Sequence, residues 1–224
     1  MHHGEGTDKR YDIARTADTI AQYNPDIVAV QEVDRGTTRT EGDDQPALLA
    51  KRLGMKHVFG KCIPYRGGEY GILILSRFPI ERSGMVLLPP PGQKEQRGLL
   101  AADLKLPSGK IIRLACVHLS TVSDGERAIQ TGKINDLLLP DKSPTLLAGD
   151  FNARIGSNAM AGIEGAWTNS ADSSFGKNTT PYRANAIDFI FFRKNDPFRV
   201  VETRTCQVPI VSDHNPVLSV LEIE

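Results

Sequence analysis

The sequence lacks several features that would assign it to a well-defined protein class. Its three cysteines form no CxxC pair, so a zinc site built from thiolates is not expected. No apolar run approaches the roughly 18 residues of a membrane-spanning helix, and residues 1–20 contain no apolar stretch typical of a signal peptide. The GxSxG elbow of serine hydrolases is also absent. What is left is a globular chain of 224 residues, a length typical of one domain.

An excess of one charge is missing as well. Lysine and arginine together number 27, and so do aspartate and glutamate. Proteins that hold duplex DNA through its phosphates usually show a basic excess or a basic face. The balance argues against a non-specific nuclease, although distant residues such as Lys9, Arg10, Arg66 and Lys94 can still assemble a basic face.

Apolar periodicity predicts helices interspersed with hairpins. Helices are predicted over 8–23, 45–53 and 124–139, and strands over 27–30, 56–62, 70–76, 83–88, 99–106, 110–117, 144–149, 186–192 and 216–223. The segment 154–185 is rich in Gly, Ser, Asn and Thr and is predicted to be loop. Hairpins argue against a doubly wound parallel sheet. The pattern favours an α/β (α+β) protein, a four-layered sandwich in which two mixed β-sheets pack face to face with helices outside. Because no repeat or linker is found, residues 1–224 are expected to form one domain.

Polar residues stand abruptly at the ends of four predicted strands. The segments concerned are Gln31-Glu32, His118, Asp150 to Asn152, and Asp213-His214, with Asp188 inside a further apolar strand. Ligands tend to gather where strand ends converge in sheet proteins. Carboxylates without cysteine favour Mg²⁺ or Mn²⁺. Histidine and asparagine can donate protons or hold phosphate oxygens, so this set suits phosphoester hydrolysis.

Each motif also has a purely structural interpretation. Glu32 can be a solvated strand end, His118 a hydrogen-bonded core histidine, and Asp150 with Asn152 an Asx turn. Asp34 is expected at the surface. Asp188 is harder to explain in this way, because a buried carboxylate needs a partner.

The motifs QEV, HL, GDFN, IDFI and SDH, taken together, resemble the endonuclease/exonuclease/phosphatase superfamily. That superfamily includes pancreatic-type deoxyribonucleases, abasic-site endonucleases, neutral sphingomyelinases, inositol polyphosphate phosphatases and deadenylases. The resemblance runs from Gly4 to the C-terminus, and GDFN followed about sixty residues later by SDH is its most specific part.

The resemblance implies a role for each matching residue. Metal ligands would be Glu32 and Asp213, binding Mg²⁺ or, as an alternative, Mn²⁺. Catalytic residues would be His118, Asp150, Asn152, Asp188, His214 and Glu69. Asp150 would activate water, Asn152 would contact the scissile phosphate, Asp188 would orient His214, and Glu69 would pair with His118. Tyr70 and Arg66 are expected to contact substrate.

The amino-terminal end of the sequence departs from the pattern of the family that the sequence resembles. Family members start with a strand ending in Asn, followed by a Gly-containing loop, and only residues 1–6 match that loop here. The strand and its Asn are therefore expected either to lie upstream of Met1 or to have been lost. A secretion signal could have been lost with them, so the localisation is left unknown. His2 and His3 line the site mouth in one interpretation and are disordered in the other. A catalytically impaired phosphate-binding module is the alternative function.

Substrate choice is expected to depend on the loops 37–45, 89–96 and 154–185. They lack a dense basic cluster, since the first carries Arg39 against three acidic residues and the last carries only Arg154, Lys177 and Arg183. A small phosphoester or a lipid head group is therefore favoured over nucleic acid, which remains the alternative. Whether the substrate is a diester or a monoester stays open. The protein is expected to be a monomer.

Overall fold

The computed structural model describes residues 1–89, 95–172 and 186–224. Its helices are α1 (Ile13–Gln22), α2 (Gln45–Leu53), α3 (Asp124–Leu138) and α4 (Ala161–Ala166), with short 3₁₀ turns at His2–Gly4 and Thr38–Thr40. Its strands are β1 (Ile27–Arg35), β2 (Lys56–Tyr65), β3 (Gly68–Ser76), β4 (Ile80–Leu87), β5 (Gly98–Lys105), β6 (Ile111–His118), β7 (Thr145–Asp150), β8 (Trp167–Asn169), β9 (Asp188–Arg193), β10 (Phe198–Thr205) and β11 (Val217–Ile223).

Local capping fixes where the helices begin and end. The Asp12 carboxylate accepts a hydrogen bond from the Arg15 amide at the start of α1, which therefore begins five residues later than periodicity predicts. Gly54 ends α2 in the left-handed conformation, with φ 64°, as the sequence indicates. Ser123 caps α3 by accepting from the Glu126 amide, while the Glu126 carboxylate accepts from Ser120 Oγ instead of closing a capping box.

The strands form two packed layers. One layer is a six-stranded sheet in the order β4-β5-β6-β7-β9-β8, in which β6 and β7 are parallel and the other neighbours antiparallel. The other layer contains the antiparallel sheet β1-β3-β2 and the antiparallel pair β10-β11. Strand β1 crosses β6 and β7, and β11 contacts β9. Among the described residues only the six-stranded sheet is mixed, so the prediction of two mixed sheets was wrong for the second layer, which is antiparallel.

Three apolar cores separate four layers. Leu100, Leu114 and Ile74 belong to the core between the two β layers. Ile134 of α3 and Ile163 of α4 pack with Phe191 on the outer face of the six-stranded sheet. A third core joins residues of α1 and α2, such as Leu49, to β1 and β3. Because the six-stranded sheet and the sheet β1-β3-β2 are apolar on both faces, helices cover both outer sides, and the predicted four-layered sandwich is confirmed.

Two parts of the chain differ from the sequence-based prediction. Strand β10 was not predicted, because a register shift between Val200 and Glu202 breaks its alternation of apolar and polar residues. Helix α4 and strand β8 lie inside the segment 154–185 predicted to be loop, and Trp167 is buried there.

Lys94, Lys177 and Arg183 lie outside the described residues. Across the described ranges, no helix combines the length and apolarity needed to cross a membrane.

Strands β1 and β11 each have one strand neighbour within the part of the chain that the structure describes. The amino group of Met1 donates a hydrogen bond to the Gln31 carbonyl in β1, at 3.0 Å. The expected strand upstream of Met1 stays a prediction.

Candidate active site

Three polar side chains lie side by side at one end of the central strands of the six-stranded sheet. His118 ends β6, Asp150 ends β7 and Asp188 begins β9. Strand register pairs His118 with Asp150 and Asp150 with Asp188. Directly paired residues on neighbouring strands lie about 5 Å apart. The fold therefore brings together residues that are up to 70 positions apart, 118 to 188.

His214 joins this group from the loop before β11. Its Nδ1 lies 2.8 Å from Asp188 Oδ2, and its backbone amide donates to Ser212 Oγ. The hydrogen bond from the ring to Asp188, aided by the charges of Asp188 and Asp150, raises the pKa of His214 to about 9. The imidazolium form is thus favoured at neutral pH, and Nε2–H is the donor left for a ligand.

Asp150 is the most buried carboxylate of the group, with 7% of its surface exposed. Burial, followed by the charge of Asp188, raises its pKa to about 6, and the charge of Glu32 adds to the effect. The Asn152 amide donates to Asp150 Oδ1 at 2.7 Å, so the Asx turn exists. Asn152 has a left-handed backbone and its side-chain amide donates to the Leu119 carbonyl. The turn and the polar cluster thus use the same residues.

His118 is almost fully buried, with 5% of its surface exposed. Its Nδ1 lies 2.9 Å from Nη1 of Arg97, which itself is 4% exposed. Arginine only donates hydrogen bonds, so Nδ1 accepts and the ring proton sits on Nε2. Nε2 lies 3.6 Å from Asp150 Oδ2. Burial, and then the charge of Arg97, lowers the pKa of His118 well below its ordinary value, so the ring is neutral.

The predicted pair between Glu69 and His118 is not formed. Glu69 accepts from Arg35 Nε at 2.7 Å and lies 3.0 Å from Lys61 Nζ. Successive residues of a strand point to opposite faces. Because Tyr70 is buried and faces the cleft, Glu69 points away from it. The pairing was therefore wrong.

Glu32 lies on a bulge of β1. The register of β1 against β3 shifts between Val30 and Val33, and Glu32 has φ 61°. A bulge changes the direction of a side chain locally. Here it turns Glu32 toward a cleft of about 230 Å³, whose walls comprise His2, His3, Glu32, Arg39, Ile63, Tyr65, Tyr70 and Glu95. His2 and His3 are therefore placed at the cleft, and the alternative that they are disordered is not supported.

Arg39, which the sequence analysis placed in a loop expected to affect substrate choice, lines the cleft. Its guanidinium donates to both oxygens of Asp34, at 2.6 and 2.8 Å, and lies 4.5 Å from the centre of the Tyr65 ring. Asp34 is fully buried, so its expected surface position is wrong. A buried carboxylate needs hydrogen-bond partners, and the loop after β1 supplies them here through Arg39 and Thr37. Arg66 occupies the exposed turn between β2 and β3, with its guanidinium 5.5 Å from the Tyr65 ring.

Asp213 stands beside His214 but belongs to no tight ligand cluster. Burial would raise its pKa, yet the charges of His2 and His214 lower it overall. Among the described residues, two sets of His, Asp and Glu side chains place their ligand atoms within 4.8 Å of one another: Asp150, Asp188 and His214, and separately His2, His3 and Glu5. Glu32 and Asp213 are in neither set.

A family model described as "Endonuclease/Exonuclease/phosphatase family" matches residues 2–214. The chain belongs to this family. The predicted resemblance is thereby confirmed, and with it the assignment to a family of hydrolases.

A curated relative and two solved structures are similar to the chain. "Uncharacterized protein YbhP" of Escherichia coli K12 is 29% identical over 154 residues, which are 64% of this chain and 60% of that protein. The match thus spans less than two thirds of the relative's length. An endonuclease/exonuclease/phosphatase structure from Beutenbergia cavernae DSM 12333 has a TM-score of 0.78 at 24% identity, covering 99% of this chain and 69% of that one. The mannosyl-6-phosphatase Bt3783 of Bacteroides thetaiotaomicron has a TM-score of 0.70 at 17% identity, covering 94% and 90%. At these identities the structures show a shared fold.

The charges of this acidic cluster suit a divalent cation. After burial, the negative charges of Asp188 and Glu32 contribute to the raised pKa of Asp150. The donors near them are carboxylate oxygens, the ligands that Mg²⁺ and Mn²⁺ prefer. The residues present therefore fit such an ion.

Proposed function

We propose that the chain is a Mg²⁺-dependent phosphoesterase that hydrolyses a small phosphoester, with Mn²⁺ as an alternative ion. The observation that carries the proposal is the convergence of Asp150, Asp188 and His214, whose ligand-capable atoms all lie within 4.8 Å of one another. Hydrolysis by attack of water on phosphorus needs a base, a proton donor and a carboxylate that orients the donor. This cluster contains all three groups.

Each member of the cluster has a distinct task in the proposed reaction. Asp150, with a pKa of about 6, is mostly ionised at neutral pH and accepts a proton from the attacking water. Asp188 keeps His214 protonated and oriented through its 2.8 Å hydrogen bond. His214 then donates from Nε2 to a phosphate oxygen. Asn152 contacts the same phosphate.

His118 contributes a neutral donor. Because Arg97 holds its Nδ1 as an acceptor, Nε2–H remains for a phosphate oxygen next to Asp150. Two histidines of different charge would then hold one phosphoryl group from two sides.

Glu32 and Asp213 would hold the cation. When bound, such an ion polarises the phosphoryl group and offsets developing negative charge. Of the residues predicted to be catalytic, Glu69 is excluded from this proposal because its carboxylate faces away from the cleft.

The cleft favours a small phosphoester or a lipid head group over nucleic acid. Its volume is about 230 Å³, and its cation Arg39 is already neutralised by Asp34. Tyr70 and Arg66 are the proposed substrate contacts, Tyr70 within the cleft and Arg66 at the neighbouring turn. The structurally similar mannosyl-6-phosphatase lends support to a small ester.

The test is hydrolysis of bis-p-nitrophenyl phosphate and p-nitrophenyl phosphate with Mg²⁺ and with EDTA. Turnover that requires Mg²⁺ and falls in His214→Ala, but not in His57→Ala on the exposed surface of β2, would support the proposal. Binding of inorganic phosphate without any turnover would instead favour the impaired binding module. A parallel screen of plasmid DNA, abasic oligonucleotide, sphingomyelin and inositol phosphates assigns the substrate class.

A further inference from the structure

The structure contains a second set of converging ligand atoms outside the hydrolytic cluster. His2, His3 and Glu5 place an imidazole nitrogen or a carboxylate oxygen each within 4.8 Å of the other two. We propose that these three residues form a transition-metal site at the cleft, distinct from the Mg²⁺ site proposed around Glu32.

The hydrogen bond of His2 leaves one of its ring nitrogens available to a metal. Its Nδ1 lies 3.1 Å from the Glu5 carbonyl oxygen. A carbonyl only accepts, so Nδ1 carries the proton and Nε2 presents its lone pair. Metal-binding histidines almost always donate their other ring nitrogen in this way, because the bond fixes tautomer and orientation.

His3 is prepared as a ligand by its surroundings. Its side chain is 13% exposed, and burial, followed by the charges of Arg39 and His2, lowers its pKa. Its Nε2 lies 3.9 Å from Glu5 Oε2, a separation that a small inward movement around a bound ion would shorten.

The turn that carries the three residues is held from several sides. Gln45 Nε2 donates to the His3 carbonyl at 2.7 Å, and the Asp12 amide donates to the Gly4 carbonyl. Gly4 has φ 80°, and a Cβ there would meet the Tyr11 ring at 3.0 Å. This anchoring means that the ligands are largely preorganised, which lowers the entropic cost of binding an ion.

Competing charges near the site are weak. Lys9 Nζ lies 3.6 Å from Glu5 Oε1, but the lysine side chain is 77% exposed, and such surface pairs contribute little. Arg39 is paired with the buried Asp34. Neither cation would therefore prevent a metal from binding between the imidazoles and Glu5.

The donor set specifies the class of ion. Two imidazoles with one carboxylate suit Zn²⁺, Co²⁺, Fe²⁺ or Mn²⁺, whereas Mg²⁺ prefers oxygen ligands throughout. His2 and His3 line the same cleft as Glu32. An ion held there adds positive charge where an anionic substituent of the substrate would enter.

The test is a Co²⁺ titration followed by visible absorption, on protein made without a polyhistidine tag, stripped with EDTA and kept in excess Mg²⁺. We expect one Co²⁺ per chain, with d–d bands typical of nitrogen and oxygen ligands. Affinity should fall at least about 10-fold in His3→Ala, His2→Ala and Glu5→Gln, and should not change in His57→Ala. Melting temperature confirms that each variant is folded, and two histidine variants are included in case one is not.

Glu32→Gln separates this site from the proposed function. It should weaken Mg²⁺ binding and leave Co²⁺ binding intact, so either proposal can fail alone. Absence of stoichiometric Co²⁺ binding would overturn the inference. So would equal affinity in Glu5→Gln and the parent protein, because a flexible chelate of the amino terminus with His3 would not need Glu5.

Discussion

Arg97 Nη1 lies 2.9 Å from His118 Nδ1, and this contact decides which nitrogen of His118 carries the proton. Both side chains are buried, so the hydrogen bond is shielded from water. A protonated His118 would place two cations in contact at the centre of the cluster. Groups that face His118 are Arg97 from the segment before β5, Asp150 from β7, the amino terminus and His214.

Removing Arg97 should therefore release the His118 tautomer. In Arg97→Met, Nδ1 loses its donor, and we expect a mixture of tautomers and a higher His118 pKa in the metal-free protein. Ring ¹⁵N chemical shifts measured against pH would report both. Arg97→Lys, which keeps a donor and a charge, should retain the Nε2–H tautomer. An unchanged spectrum in Arg97→Met would contradict this role.

Substitutions of Glu32 and of His214 should impair different properties of the enzyme. Glu32→Gln removes charge from the proposed cation site and should lower Mg²⁺ affinity by at least about 10-fold. His214→Ala should lower kcat by about 10²- to 10⁴-fold, with little effect on Mg²⁺ affinity, because the histidine acts on the phosphoryl group. Calorimetric Mg²⁺ titration and steady-state kinetics measure the two quantities. Glu81→Gln, at an exposed position of β4, is the matched glutamate control. Equal Mg²⁺ affinity in Glu32→Gln and the parent would reject the ligand assignment.

The pair of His214 and Asp188 should make stability depend on pH. The folded-state pKa of His214, about 9, lies above the ordinary histidine value of 6.5. The stabilisation is therefore fully present below about pH 6.5 and is lost as the pH rises through about 9. With EDTA present, the melting temperature of the parent should exceed that of Asp188→Asn at pH 6, and the difference should shrink by pH 10. A constant difference across this range would count against a charged pair.

Glu69 offers a test of where the cleft ends. Its carboxylate pairs with Arg35 and Lys61 on the outward face of β3. Glu69→Gln should therefore change kcat by less than about two-fold and lower the melting temperature slightly, as the loss of a partly exposed ion pair does. A fall in kcat comparable to that of His214→Ala would show that Glu69 reaches His118 during turnover.

The strand expected upstream of Met1 predicts a stability change. Within the described residues β1 pairs only with β3, so alternate backbone groups of Ile27 to Val30 have no strand partner on the other side. An extended chain that supplies a strand should pair there, raise the melting temperature and slow amide exchange at alternate β1 positions. If exchange in β1 is the same with and without the extension, the strand does not pair with β1.

Much of the fold could be read from local patterns. Gly54 ends α2 and Ser123 starts α3, because caps act through neighbouring backbone groups. Strand β7 is a continuous apolar run that ends in Asp150 and is found as predicted. Strand β10 and helix α4 escaped prediction, since the first is bulged and the second is short. Their stability comes from packing, as the buried Trp167 beside α4 shows.

The sequence by itself determined the family and which residues could carry chemistry, since GDFN, IDFI and SDH identify them by type and order. Only the tertiary structure decided their partners. It placed Arg97 on His118, and Glu69 beside Arg35 on the outer face of β3. The physical reason is that a motif reflects short-range backbone geometry, whereas an ion pair forms between side chains that strand register and layer packing bring together from distant positions.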